Sequence, residues 1–118
     1  MSESRPGGGT LVVISREGMG DAEPELRMKL LTTWLTLISE SGMLPGAMAF
    51  YAGGVKLAVD GSPVLELLRD LESRGVHLIL CKTCLDYHGI ADRVAVGIVG
   101  GMPDIIAAQW AAEKVVSL

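Results

Sequence analysis

Aromatic side chains are almost missing from this sequence: one Phe, two Tyr and two Trp make up 4% of its 118 residues. Any core must therefore be aliphatic, built from Leu, Val, Ile, Ala and Met. Positive charge is also scarce. Ten Lys and Arg stand against fourteen Asp and Glu, giving a net charge of −4, and no two basic blocks form. That balance argues against binding to nucleic acid or to anionic membrane surfaces, both of which require clustered cations. Long apolar runs are lacking too. Pro45 and several glycines interrupt the uncharged stretches, and none reaches the roughly 20 helical residues that span a bilayer. The stretch Met1 to Gly9 is polar and Gly-rich, without the apolar run of a signal peptide. Neither GxGxxG nor GxxxxGK[ST] occurs, so a nucleotide site has little support. No Ser/His/Asp grouping is evident. The expected location is the cytoplasm, and no cofactor is expected.

What is present favours one folded unit. Hydrophobic residues account for 49% and charged residues for 20%. A domain of this size buries about two-thirds of its unfolded surface, enough for stability without disulfide staples. Residues 1–9 read as a flexible leader, and residues 10–118 as a single domain. Thr10–Ser15 is a continuous apolar run of the kind found in strands buried on both faces. Pro24 suits the first turn of a helix, and Leu26, Leu30, Trp34 and Ile38 recur every four residues with Leu31 and Leu35 beside them. Gly42 is a plausible stop. Ala47–Tyr51 reads as a second strand, followed by a loop from Ala52 to Lys56. Ser62-Pro63 begins a second helix, which Gly75 closes in left-handed geometry. Val76–Leu80 is the third strand, and a short helix after it ends near Gly89. Val94–Val99 is the fourth strand, Pro103 opens a helix to about Ala112, and Lys114–Ser117 is the last strand.

Strands and helices thus alternate along the chain. This predicts an α/β fold with a mainly parallel five-stranded sheet, helices on both faces and right-handed crossovers. Ligands of such sheets bind beyond the carboxyl ends of the strands. The loops at that edge are Arg16-Glu17-Gly18, Gly53-Gly54-Val55-Lys56, the turn after Leu80, and Gly100-Gly101-Met102.

The chain has only two cysteines, and both lie in the third of these turns as Cys81-Lys82-Thr83-Cys84. In a reducing compartment a CxxC is more often catalytic, redox-active or metal-binding than structural. The thiolate is the reactive form of cysteine. A helix starting at Thr83 or Cys84 would aim free N–H groups at Cys81, with Lys82 adjacent and Lys56 at the same edge, all favouring the anion. On this reading Cys81 is the exposed thiol, and Cys84, one turn into the helix, is the less exposed, resolving one. Two other readings stand beside it. The cysteines could be small inert core residues, or two ligands of a zinc ion. Zinc wants four ligands; Asp86 and His88 are nearby, but no second CxxC exists, so only a site shared between subunits would complete the set. His88 reads as a helix-end residue that could also act as a base, Asp86 as a helix-start charge partner, and His77 as structural. The methionines read as core filler, and Trp34 and Trp110 as packing or subunit-interface residues.

Three stretches resemble one family. Cys81-Lys82-Thr83-Cys84-Leu85-Asp86-Tyr87-His88-Gly89-Ile90 is similar to its C-G-T-C-L-D-Y-Y-G-L, and Phe50-Tyr51-Ala52-Gly53-Gly54-Val55-Lys56-Leu57 to its F-Y-N-G-G-V-K-L. Val96-Gly97-Ile98-Val99-Gly100-Gly101-Met102-Pro103-Asp104-Ile105 is similar to its V-G-x-V-x-N-M-x-x-I. The family is the DsrE/DsrF-like family, and within it the YedF-type proteins of selenium metabolism. The resemblance implies a DsrE-like three-layer α/β/α sandwich in a soluble intracellular homo-oligomer. It implies a sulfurtransferase-like function, in which sulfur (or selenium) is carried as a persulfide and passed to a sulfur-relay partner protein or taken from a small sulfur donor. The family's carrier cysteine lies eight residues before a glycine, as Cys81 lies before Gly89, which places the carrier role on Cys81. Gly53, Gly54, Lys56, Lys82 and Thr83 are the expected binding residues around it. Lys82 replaces the usual glycine, and no TusA-like domain is expected ahead of this one, so donor and acceptor are expected to be separate molecules. A thiol–disulfide redox protein and a non-catalytic oligomeric binding module are the competing functions.

Overall fold

The computed structural model describes residues 7–118. Five strands, β1 (Thr10–Ile14), β2 (Ala47–Phe50), β3 (His77–Cys81), β4 (Ile98–Gly100) and β5 (Lys114–Ser117), form one sheet in the order β4-β3-β2-β1-β5. Every pairing is parallel. Four helices connect them: α1 (Pro24–Ser41), α2 (Leu65–Ser73), α3 (Lys82–His88) and α4 (Met102–Ala111). Between β2 and α2 the chain also makes a 3-10 helix, Ala52–Ala58.

The strand order explains the layers. From β1 to β4 each crossover steps the same way across the sheet, and the last returns the full width to β5. Right-handed connections therefore put α1, α2 and α3 on one face and α4 on the other. Alternating residues of β1 agree with this. Val12 shares a groove with Trp34 and Ile38 of α1, whereas Leu11 shares one with Ala108 and Ala111 of α4. The result is the three-layer α/β/α sandwich expected from the pattern of elements.

Residues Leu11 to Ile14 are all buried, because β1 lies inside the sheet and is covered on both faces. Phe50, Leu78 and Leu80 of the neighbouring strands complete the same core with Leu31, Leu35, Leu68, Leu71 and Leu85 of the helices. Helix stops follow the glycines: Gly42 and Gly89 cap α1 and α3 with φ of 76° and 71°, a left-handed geometry that costs glycine little.

Four expectations need correction. In α1 Leu31 and Leu35 are buried and Trp34 and Ile38 pack against the core, as the apolar face suggests, while Leu26 and Leu30 are 45% and 41% exposed; the first two members of the four-residue repeat fall outside the inward stripe. The fourth strand is shorter than Val94–Val99. Gly97 has φ of 87° and gives its N–H to the Glu72 carboxylate, and Val94 instead makes an isolated antiparallel bridge to Val59. The chain can enter β4 only after that bend. The segment after β2 is no open loop, because Ala52–Ala58 coils into a 3-10 helix whose Val55, Leu57 and Ala58 are buried. Finally, Gly7–Gly9 do not behave as a free leader. Thr10 N–H donates to the Gly7 carbonyl, and the N–H groups of Glu113 and Lys114 donate to the Gly9 carbonyl. The rest of the expected leader, residues 1–6, lies outside the described residues.

Candidate thiol site

The two cysteines stand where β3 becomes α3. Cys81 is the last residue of β3 and the N-cap of α3, with its strand partner Gly100 on one side. Cys84 is in the first turn of the helix. Leu85, fully buried, locks that turn onto the core. Because β2 neighbours β3, the 3-10 helix after β2 lies against α3 at the same carboxyl edge. All strand-to-helix loops emerge at this edge, as a parallel sheet requires.

The contact between these two segments is made by Ala52. It has φ of 53°, and among the described residues it is the only non-glycine with positive φ. A left-handed alanine costs about 1–2 kcal/mol. In that conformation its N–H donates to Cys84 Sγ at 3.1 Å, and its carbonyl lies 3.2 Å from His88 Nε2. A carbonyl can only accept, so Nε2 carries the proton of that bond and Nδ1 of the neutral ring is left as an acceptor. Cys84 and His88 are four residues apart on α3 and so share a face. One backbone residue is thus gripped between a thiol and an imidazole.

The exposure of the two thiols is the opposite of what the spacing suggested. Cys81 is sealed, with 1% of its surface accessible, and Cys84 is partly exposed; both are free thiols. Cys81 ends an inner strand of the sheet, whereas Cys84 lies in the first turn of α3 with its Sγ against the Ala52 N–H. Burial pushes the Cys84 thiol up from its ordinary value, the Ala52 N–H pulls it down, and the neighbouring Cys81 adds to the rise; the net direction is up. The Cys84 thiol is therefore harder to ionise than an ordinary cysteine, with one donor already aimed at its sulfur.

The expected binding residues divide. Lys56 Nζ lies 3.8 Å from Glu17 Oε1, and Lys82 Nζ lies 2.7 Å from Asp86 Oδ2, so each lysine faces a carboxylate rather than a sulfur. Thr83 is exposed beside Cys84. At Gly53 a Cβ would stand only in ordinary contact with Arg16. Gly54 serves packing: a Cβ there would overlap the Ile14 carbonyl oxygen and stand 2.8 Å from its carbon. His77 opens β3 and is exposed rather than mid-strand. Among the described residues no three His, Cys, Asp or Glu side chains are grouped to hold a metal ion, so the zinc reading has no ligand set within one chain. No helix among them is long and apolar enough to cross a membrane.

Ala52 is the site residue that sequence reasoning passed over. A signal existed, since the family pattern carries Asn at its place, and Asn takes left-handed backbone more readily than any other residue except glycine.

The model of the DsrE/DsrF-like family matches residues 24–118, which takes in the whole of this site. The chain belongs to that family. Among solved structures, the ychN protein from E. coli superposes with a TM-score of 0.68 at 20% identity, covering 92% of this chain and 98% of its own. MTH1491 from Methanobacterium thermoautotrophicum, a protein of unknown function, gives 0.68 at 18% identity, over 92% and 97%. BT1422 from Bacteroides thetaiotaomicron, likewise of unknown function, gives 0.63 at 14% identity, over 93% and 95%. At these identities the likeness is one of fold. No curated protein gives a significant match.

Proposed function

We propose that this DsrE/DsrF-like chain is a sulfurtransferase-like carrier of sulfur, or of selenium in the YedF-type variation, with Cys84 as the working thiol and Cys81 as the resolving one. The observation that carries this reading is the Ala52 N–H bonded to the sulfur of a partly exposed cysteine, with a second free cysteine sealed behind it. After Cys84 loses its proton, the thiolate attacks the outer sulfur of a donor R–S–SH. The Cys84 Sγ–S bond forms, the donor S–S bond breaks, and RS⁻ leaves. The Ala52 N–H stabilises the negative charge on Sγ before attack. An acceptor thiolate then takes the outer sulfur by the same exchange and restores Cys84. When no acceptor arrives, the Cys81 thiolate can attack Cys84 Sγ, expel HS⁻ and leave a Cys81–Cys84 disulfide, which an external thiol must reduce.

The cytoplasm suits this cycle, since both thiols must be kept reduced between turnovers. We also take residues 10–118 as one unit of a homo-oligomer. Met102, Ile106 and Trp110 repeat every four residues along α4 and are 49%, 46% and 82% exposed, an apolar stripe of the kind that subunit interfaces cover.

A thiol–disulfide redox role is the second reading, favoured by the adjacency of the sulfurs. It ranks lower because Pro103 stands in the first turn of α4 rather than before a strand, and no cis peptide bond occurs among the described residues.

The test is intact-mass measurement after incubation with polysulfide. One added sulfur per chain is expected on Cys81→Ser, with none on Cys84→Ser, and a small thiol should remove it; the wild type, which has Cys81 to resolve the adduct, is expected to pass on to the Cys81–Cys84 disulfide. Loading of Cys84→Ser to the extent of Cys81→Ser would overturn the assignment.

A further inference from the structure

A cavity of about 640 Å³ is lined by Glu17, Lys56, Leu57, Val59, His88, Ile90 and Arg93 among others. Its charges are not alike. Arg93 is tied to Asp60 by its Nε at 2.7 Å and also reaches the Asp60 carbonyl, so that pair fixes the rim. Lys56 and Glu17 are different. Their charged atoms stand 3.8 Å apart, beyond hydrogen-bond length, and their side chains are 42% and 50% exposed. They hold one positive and one negative group side by side in a lining that also includes the apolar Leu57, Val59 and Ile90.

We infer that this cavity binds a zwitterionic amino acid bearing a sulfur side chain, its carboxylate on Lys56 and its ammonium on Glu17. A simple anion would gain Lys56 but face the Glu17 carboxylate a few ångströms away, and a simple cation the reverse. Only a ligand carrying both signs meets both groups at once. Leu57, Val59 and Ile90 then take the apolar part of the side chain, and the sulfur is directed at His88. His88 and Cys84 are four residues apart on α3 and share a face, which puts the cavity's His88 next to the thiol. The inference rests on the carrier reading, for which such a molecule is the donor R–S–SH or the acceptor left after transfer. His88 is then a positioning residue, since its Nε2 holds the Ala52 carbonyl while its side chain lines the cavity.

The experiment uses the reduced full chain and S-methyl-L-cysteine, which has both charges but no thiol to react. Titration followed by NMR should move the amide signals of Glu17, Lys56, Leu57 and His88. Glu17→Gln and Lys56→Met should each weaken binding about two- to fivefold, as expected for half-exposed ion pairs. The N-acetylated ligand, which lacks the ammonium, should lose as much. Circular dichroism melting of each variant checks that the fold is kept. No shift at these amides overturns the inference, as do unchanged affinity in both variants or acetate moving the same signals equally. Sulfur loading of Cys84 by polysulfide is scored separately. If loading holds and this binding fails, the cavity assignment falls while the carrier reading stands; if binding holds and loading fails, the reverse applies.

Discussion

Replacing Gly54 by alanine should cost this fold several kcal/mol, although the change adds one methyl group. Gly54 is buried in the 3-10 helix, and its N–H donates to the Tyr51 carbonyl at 2.9 Å. The new Cβ would overlap the carbonyl oxygen of Ile14, the last residue of β1, and come within 2.8 Å of its carbon. These are backbone atoms in a buried strand, so no rotamer change relieves the clash. The 3-10 helix must lift away, and the Tyr51 N–H bond to Ile14, at 3.2 Å, goes with it. Overpacking costs about 1–3 kcal/mol, and two weakened backbone hydrogen bonds about 1 kcal/mol each. The sum of about 3–5 kcal/mol is a large share of the roughly 5–15 kcal/mol that holds a domain together. For a chain of this length it corresponds to a fall in Tm of about 10–20 °C. Thermal unfolding followed by circular dichroism measures it. Gly53→Ala is the control, since its Cβ would stand 3.7 Å from Arg16 Cα, an ordinary contact. Equal Tm values for the two variants would refute the packing argument and would return Gly54 to the list of ligand-binding glycines.

Ala52→Asn should raise stability by up to about 1 kcal/mol, because Asn tolerates the left-handed backbone at φ of 53°, and should leave Cys84 reactive; chemical denaturation reads the first and alkylation rate the second. The alkylation rate of Cys84 should rise with pH around a midpoint above the ordinary cysteine value of about 8.5, since burial and Cys81 raise its pKa against the pull of Ala52. A midpoint below that of an unstructured cysteine peptide would contradict the geometry. Asp70 accepts hydrogen bonds from Ser39 and Arg74, which hold its carboxyl below the usual range and tie α2 to α1. A lowered pKa adds stability above the unfolded value of about 3.9 and loses it as pH falls through the folded one. Asp70→Asn should therefore be less stable than wild type at neutral pH, with the difference vanishing in acid; a constant difference across pH would show that the charge plays no part.

Much of the architecture is legible in the sequence because parallel sheets leave strong local marks. Leu11 to Ile14 is an uninterrupted apolar run since β1 is covered on both faces, and Gly42, Gly75 and Gly89 stand where helices end because only glycine enters left-handed backbone at little cost. What could not be read is what depends on contacts between distant segments. Val94–Val96 looks like strand, yet Glu72 captures the Gly97 amide and bends the chain before β4 can start. Leu26 and Leu30 fit a helical stripe as well as Leu31 does, and only the placement of α1 on the sheet decides which row turns inward. At the thiol site the CxxC and its carboxyl-edge position follow from local pattern. Which sulfur is reachable does not, because it depends on the place of Cys81 at the end of an inner strand and on a donor, Ala52, that lies 32 residues away in the chain. The lysines illustrate the same limit: being near in sequence, Lys82 looked available to a thiolate, but Asp86 one turn along α3 takes it.

The account turns on Cys84, not Cys81, being the thiol that meets other molecules. Peptide mapping after brief iodoacetamide treatment of the native, reduced protein tests this directly. The account predicts that label appears on Cys84 while Cys81 stays unmodified until the protein is denatured. Label appearing first on Cys81, or at equal rates on both, would contradict it.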